Sequence, residues 1–322
     1  MADRRARLLN ALDTGGGHGL EIGPLYKPVA LKDECDVSYV DIHLANGLRE
    51  YYATHPGTPI DEILEVDFAL IEGEVTRSLA QATAPAAPFD WIVASHVIEH
   101  VPDLIGWLND VAEVLVDGGK LSLAVPDRRY CFDARRPPTT VGQMLLAHHN
   151  RDARPSVRAV FDHYHAAVRV TPTEAWEEHP GPETTIFPLE MARDMTARSV
   201  EEGIYMDCHV WLFTPREFIQ QLAVLAQLGH LDFTVAEIIT TDVNDMEYFV
   251  VLQRAPRDID DAARQQLLSD GFPLPEQTTR SDPGTSSWQL SQKEAGLVAA
   301  KRDALFRLRR VAHRMLRRWW GV

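Results

Sequence analysis

Thirteen histidines stand among the 322 residues, and imidazole is the side chain best suited to moving a proton near neutral pH. Three groups of them lie close to acids or aromatics. His96, Glu99 and His100 follow the apolar run Trp91–Ser95. His163 and His165 alternate with aromatics in Phe161-Asp162-His163-Tyr164-His165, and His209 stands two residues before Trp211. Each could accept the proton of a hydroxyl. Asp162, His163, His165 and His209 also offer metal-ligand atoms, but their spacing matches no diagnostic ligand pattern, so no metal is expected. Arg128, Arg129, Arg135 and Arg136 could grip a phosphate or carboxylate, or simply form a solvated basic loop.

A second set is made of carboxylates. Glu21 precedes Gly23-Pro24, Asp41 follows about 20 residues after that turn, and Asp67 is followed by Phe68. An acid at that distance from a glycine turn suits bidentate hydrogen bonding to ribose hydroxyls. An acid next to an aromatic suits adenine: the carboxylate accepts from the exocyclic amine while the ring packs on the base.

These residues need elements to position them. Apolar runs of strand length recur at 19–23, 37–41, 63–67, 91–95 and 121–125. Leu104, Leu108, Val111 and Leu115 repeat at helical spacing, with Gly118-Gly119 as the stop. Alternation of this kind predicts a parallel sheet covered on both faces. Ligands then bind beyond the carboxyl ends of the strands, where Glu21, Gly23, Pro24, Asp41, Asp67, Phe68, Ser95 and His96 fall. Residues of about 128–213 lose the pattern and read as an insertion forming a lid. Pro215–Leu228 predicts a helix with Pro in its first turn, and 233–239 with 248–252 predict a hairpin. Residues 1–254 thus form one domain, 255–291 read as a linker, and 292–322 as a basic amphipathic helix.

The composition is that of a globular chain, 45% apolar and 25% charged. A net charge of −15 argues against a nucleic-acid partner. Three cysteines without paired spacing indicate neither a disulfide framework nor a cysteine zinc site, and the expected compartment is cytoplasmic. The first residues are too polar for a signal peptide and no long apolar run predicts a membrane span. The acidic balance reverses from Lys301 onward, where eight basic residues face the single acid Asp303. Leu305, Leu308, Ala312, Met315 and Trp319 share a helical face there. Such a helix suits an anionic membrane surface, the inner face of the cell membrane, or else packing on the acidic body.

Residues 89–103, with Ser95-His96-Val97-Ile98-Glu99-His100-Val101-Pro102-Asp103, resemble the fourth-strand motif of class I S-adenosylmethionine-dependent methyltransferases. Asp117-Gly118-Gly119-Lys120 resembles that family's turn into strand five, and with Leu20-Glu21-Ile22-Gly23, Asp41 and Asp67 the likeness runs from 18 to 127. It implies a Rossmann-like, doubly wound, seven-stranded, mostly parallel sheet that binds S-adenosylmethionine. In one respect the chain departs from the family: Gly23 is followed by Pro24-Leu25-Tyr26-Lys27-Pro28 in place of further glycines. The rival cofactor, NAD, would need a Gly-x-Gly-x-x-Gly loop to seat its pyrophosphate, and none is present.

Methyl transfer to a hydroxyl needs a near-attack geometry and a general base. The candidates are His163, then His209, with His96 at the strand end. Looser resemblances in Leu20–Pro24, Val125–Asp133 and Cys208–Trp211 are to a bacterial subfamily associated with surface-polysaccharide biosynthesis, which implies O-methylation of a saccharide or glycolipid. A small secondary metabolite is the rival acceptor. A non-catalytic methyltransferase-like module recruiting glycan-assembly partners is the rival from another class.

Overall fold

Strict alternation of apolar side chains along the central strands decides the architecture. Ile92, Leu121, Leu123 and Val250 bury on one side, while Trp91, Val93, Ala124 and Val251 bury on the other. A sheet that is apolar on both faces has to be covered on both. The computed structural model describes residues 4–53, 57–177 and 184–275. Its strands are β1 (Gly19–Ile22), β2 (Val37–Asp41), β3 (Phe68–Ala69), the small hairpin β4 (Ile71–Glu72) and β5 (Val75–Thr76), then β6 (Phe89–Ser95), β7 (Leu115–Pro126), β8 (Phe233–Ile239) and β9 (Glu247–Arg254). The seven-stranded sheet has the order β3-β2-β1-β6-β7-β9-β8. Only β9 runs antiparallel to its neighbours. Reversal of strand order falls between β1 and β6, the switch point where such sheets bind ligands.

The helices are α1 (Arg4–Leu9), α2 (Ala45–Tyr52), α3 (Leu79–Thr83), α4 (Leu104–Val114), α5 (Val141–Asn150), α6 (Val157–Ala166), α7 (Pro172–Trp176), α8 (Leu189–Glu201), α9 (Pro215–Gln227) and α10 (Asp261–Asp270). The larger core lies between the sheet and α3, α4, α5, α6, α9 and α10. Across the sheet, Leu8 of α1 and Leu12 pack with Val29, Tyr39, Trp91 and Phe249. Gly19 is required there, since a Cβ would stand 2.1 Å from the Trp91 ring. The predicted start of α9 is observed with a full capping box: Glu217 N–H donates to Thr214 Oγ1 and Thr214 N–H to Glu217 Oε2.

Four expectations change. The third strand is not 63–67 but Phe68–Ala69, because Phe68 pairs with Val40 and Ala69 with Asp41. No helix separates β1 from β2; the chain crosses in a loop. The Gly118-Gly119 turn lies inside β7, after α4 has ended at Val114, and Gly118 adopts φ +75° there. The predicted linker is folded as far as Pro275: α10 lies on β8, and Leu268 and Phe272 join the larger core. The predicted C-terminal helix, 292–322, lies outside the described residues. Among those described, no helix is long and apolar enough to cross a membrane.

Candidate active site

The loop after β1 is shaped by Glu21. Its buried carboxylate accepts from Val29 N at 2.7 Å and Ala30 N at 2.8 Å, folding residues 23–30 back against the strand. Burial pushes its pKa up to about 7, against the pull of those two backbone donors. Glu21 therefore spends its lone pairs on its own loop and has an architectural role. Gly23 turns the chain with φ +71°, and a Cβ built on it would lie 3.3 Å from Val97. Pro24 precedes Leu25, itself left-handed at φ 47°. Lys27 lies over the Tyr26 ring, 5.0 Å from its centroid.

Asp41 ends β2 beside this turn. Its Oδ1 accepts from Ile42 N at 2.7 Å, and Leu25 N–H also donates to the carboxylate. Burial nevertheless raises its pKa to about 6, outweighing both backbone bonds. Such a carboxylate gains from any further donor, which is what a ribose diol offers.

Other predicted cofactor residues are placed differently. Asp67 lies level with Tyr39, before the end of β2, and its carboxylate accepts from Tyr39 N and from Lys32 Nζ at 2.6 Å. It is an internal ion pair, not a strand-end acceptor. Phe68 packs against the larger core instead of facing outward. Ser95 Oγ takes a hydrogen bond of 2.6 Å from Arg4, whose guanidinium also holds Glu247. The arginines after β7 are largely consumed too: Arg128 pairs with Glu217, Arg129 with Asp127, and Arg136 with Asp133.

His96 leaves β6 in a left-handed conformation, φ 54°, which aims its ring between two acids. Nε2 is 2.8 Å from Glu247 Oε2 and Nδ1 is 3.2 Å from Glu99 Oε1. Burial opposes its charge, but the two carboxylates prevail and raise its pKa to about 9. An imidazolium with both nitrogens occupied cannot serve as the predicted base. His163 does face inward from α6, but burial lowers its pKa to about 4. His165, two residues on, stacks on Phe161 on another face of the helix. His163 and His165 are therefore not brought together on one face.

A cluster that residue spacing did not reveal lies next to His96. Residues 207–213 return from the insertion across the β6–α4 loop, where Val210 N donates to Glu99 O at 2.6 Å and Trp211 Nε1 to Val101 O at 2.5 Å. This brings His209 against His100, with ring centroids 4.8 Å apart and planes at 89°. His209 Nδ1 donates to buried Asp133 at 2.6 Å, and His100 Nδ1 to Asp207 at 2.7 Å. Asp133 is held well down, at about 2: burial opposes its charge, but His209 and Arg136 stabilise it more. Burial pushes the Tyr52 phenol up, and the charges of Asp41 and Asp207 act in the same direction.

Residues 1–179, more than half of the chain, match a family described as a methyltransferase domain. No curated protein matches the sequence. The solved structures similar to it include the N-methyltransferase NodS from Bradyrhizobium japonicum, 13% identical over 78% of this chain and 94% of that one, with a TM-score of 0.33. The CcbJ methyltransferase from Streptomyces caelestis is 11% identical over 78% and 94%, at 0.37. A protein described as a zinc-dependent alcohol dehydrogenase from Rhodobacter sphaeroides is 13% identical over 78% and 88%, at 0.42.

Proposed function

The chain belongs to the methyltransferase domain family, and on that premise we propose that it transfers a methyl group from S-adenosylmethionine to a saccharide hydroxyl of a lipid-linked or surface glycan. The observation that carries the cofactor is the pairing of half-buried Asp41 with the tight Gly23 turn and a helix-free crossing to β2. A dinucleotide needs a helix N-terminus for its pyrophosphate; a nucleoside sulfonium carries no phosphate and does not. Asp41 would hold the ribose, and Gly23 would let the backbone approach the ligand where any Cβ would press on Val97. When bound, the cofactor supplies an electrophilic methyl group.

The hydroxyl proton falls to this chain's own residues. Of the three predicted bases, His209 is the one the geometry favours. Asp133 fixes its Nδ1–H, as an orienting carboxylate does in nucleophile–base pairs, and among the described residues its Nε2 has no hydrogen-bond partner. The saccharide rests on the motif resemblance and on the basic sequence 301–322, with apolar residues at helical spacing, which suits an acceptor at an anionic lipid surface.

Calorimetric titration of the full chain with S-adenosylmethionine and S-adenosylhomocysteine tests the cofactor, with Asp41→Ala alongside. Micromolar binding lost in the variant is the expected result; no binding of either ligand would overturn the proposal. Radiolabelled methyl transfer to lipid-linked saccharides, against a panel of small hydroxylated metabolites, tests the acceptor class. Vesicle flotation that is unchanged by deleting residues 301–322 would remove the membrane argument.

A further inference from the structure

The same cluster holds a carboxylate without a hydrogen-bonding role. Glu99 is fully buried, and among the described residues neither of its oxygens has a hydrogen-bond partner. Oε1 has only the ion-pair contact with His96, at 3.2 Å. The His96 imidazolium gives it one positive neighbour, and the rest of its buried shell is open to a second cationic group. Two imidazoles face it. One ligand atom from each of Glu99, His100 and His209 lies within 4.8 Å of the other two.

We infer that Glu99, His100 and His209 form a binding site for one divalent metal ion of the borderline-soft class, for which zinc is the best-matched probe. The outer shell carries the argument. A ligating histidine almost always donates its second ring N–H to a carboxylate or carbonyl, which fixes the tautomer and presents a lone pair to the metal. Both histidines are set up in this way, by Asp207 on His100 and Asp133 on His209. Two histidines whose Nε2 lone pairs are fixed by outer carboxylates, and one buried carboxylate that accepts no hydrogen bond and has only the His96 ion pair, make the His2Glu donor set of open catalytic zinc sites. Such a set favours zinc, manganese or iron over magnesium and calcium. Metal bonds of about 2.0–2.1 Å place tetrahedral ligand atoms about 3.3 Å apart, so the ring and carboxylate torsions would draw the three together by up to about 1.5 Å.

The sequence concealed this set because its members are distant: Glu99 and His100 leave β6, whereas His209 arrives about 110 residues later. A cation here would lie next to the strand end where His96 stands and would lower the pKa of a hydroxyl bound to it. That role, which replaces direct proton removal by His209, rests on the methyltransferase reading; the metal site itself does not.

The test uses the full chain, stripped with a chelator and titrated calorimetrically with Zn2+ and, for comparison, Mg2+; the absorption spectrum of the Co2+ form reports coordination. One Zn2+ per chain is expected, far tighter than Mg2+. Affinity should fall a hundredfold or more in His100→Gln and in Glu99→Gln, and ten- to a hundredfold in Asp207→Asn. His100 and Asp207 are partly exposed, so those variants keep the fold, which S-adenosylhomocysteine binding and melting confirm. Failure of Zn2+ to saturate one site, or unchanged affinity in His100→Gln, overturns the site while leaving the cofactor reading intact. Zinc binding without S-adenosylhomocysteine binding upholds the site and overturns the methyltransferase proposal instead.

Discussion

Replacing Asp133 by Asn removes the anion from a pair that has no access to solvent. Asp133 is 0% and Arg136 1% exposed. The guanidinium keeps Nη1 on Asp133 at 2.7 Å and Nη2 on His209 O at 2.8 Å. Its Nε has no hydrogen-bond partner among the described residues, so Arg136 is already incompletely satisfied. Lowering of the Asp133 pKa from 3.8 to about 2 corresponds to about 2 kcal/mol. Leaving Arg136 charged and buried raises the expected loss to about 3–5 kcal/mol, or a melting temperature lower by roughly 10 °C for a domain of this size. Chemical denaturation followed by circular dichroism gives the number. The double variant Asp133→Asn/Arg136→Met removes the stranded charge and should recover about 2 kcal/mol of that loss. A single variant within 1 kcal/mol of the parent, or a double variant no more stable than Asp133→Asn, would refute the reasoning. The depressed carboxyl also sets a direction in pH: its contribution is complete above 3.8 and is lost as pH falls toward 2.

With the chain stripped of metal, His96 should titrate near 9 in the folded protein, read from its Cε1 proton by NMR. Because this pKa is raised from 6.5, the stabilisation is complete below 6.5 and disappears as pH rises through about 9. Glu247→Gln should bring the midpoint down by one to two units; a parent value at or below 6.5 would contradict the double pairing. Gly23→Ala imposes a left-handed φ on a residue with a Cβ, at a cost of about 1–2 kcal/mol, and crowds Val97 at 3.3 Å. Affinity for S-adenosylhomocysteine should fall at least tenfold, and unchanged binding would show that the ligand does not pass this turn. Arg4→Ala frees both Ser95 and Glu247; the His96 midpoint should then rise, since a competing cation on Glu247 is gone, and a fall would show that α1 supports the imidazolium instead.

Where the sequence was legible, the signal was local. Apolar runs of strand length located β1, β2, β6 and the β8–β9 hairpin, and Pro215 marked the first turn of α9. Asp41 stands at its strand end because β2 stops there. The third strand escaped because only two of its residues pair, so that the more regular apolar run just before it mimicked the strand. Residues 255–275 looked like a linker because α10 needs only Leu268, with Phe272 beyond it, to hold it on the sheet.

The candidate site was legible only in its local parts, and the reason is topological. Its groups come from the β6–α4 loop, the segment after β7, α6, residues 207–209, the start of β9 and α1. These meet because the connections that leave parallel strands all emerge at the carboxyl edge of the sheet, where antiparallel β9 also begins, and hydrophobic periodicity says nothing about which loops touch. The carboxyl edge is also where the chain is least periodic, so the histidines most prominent by local spacing, 163 and 165, are divided between two helix faces. Glu99 and His209 drew less notice in the sequence, yet they are the pair that Val210 N and the Glu99 carbonyl bind together. This backbone hydrogen bond of 2.6 Å joins two segments about 110 residues apart and holds His209 beside the β6–α4 loop. Whatever chemistry the cluster performs therefore depends on the insertion being docked on the sheet.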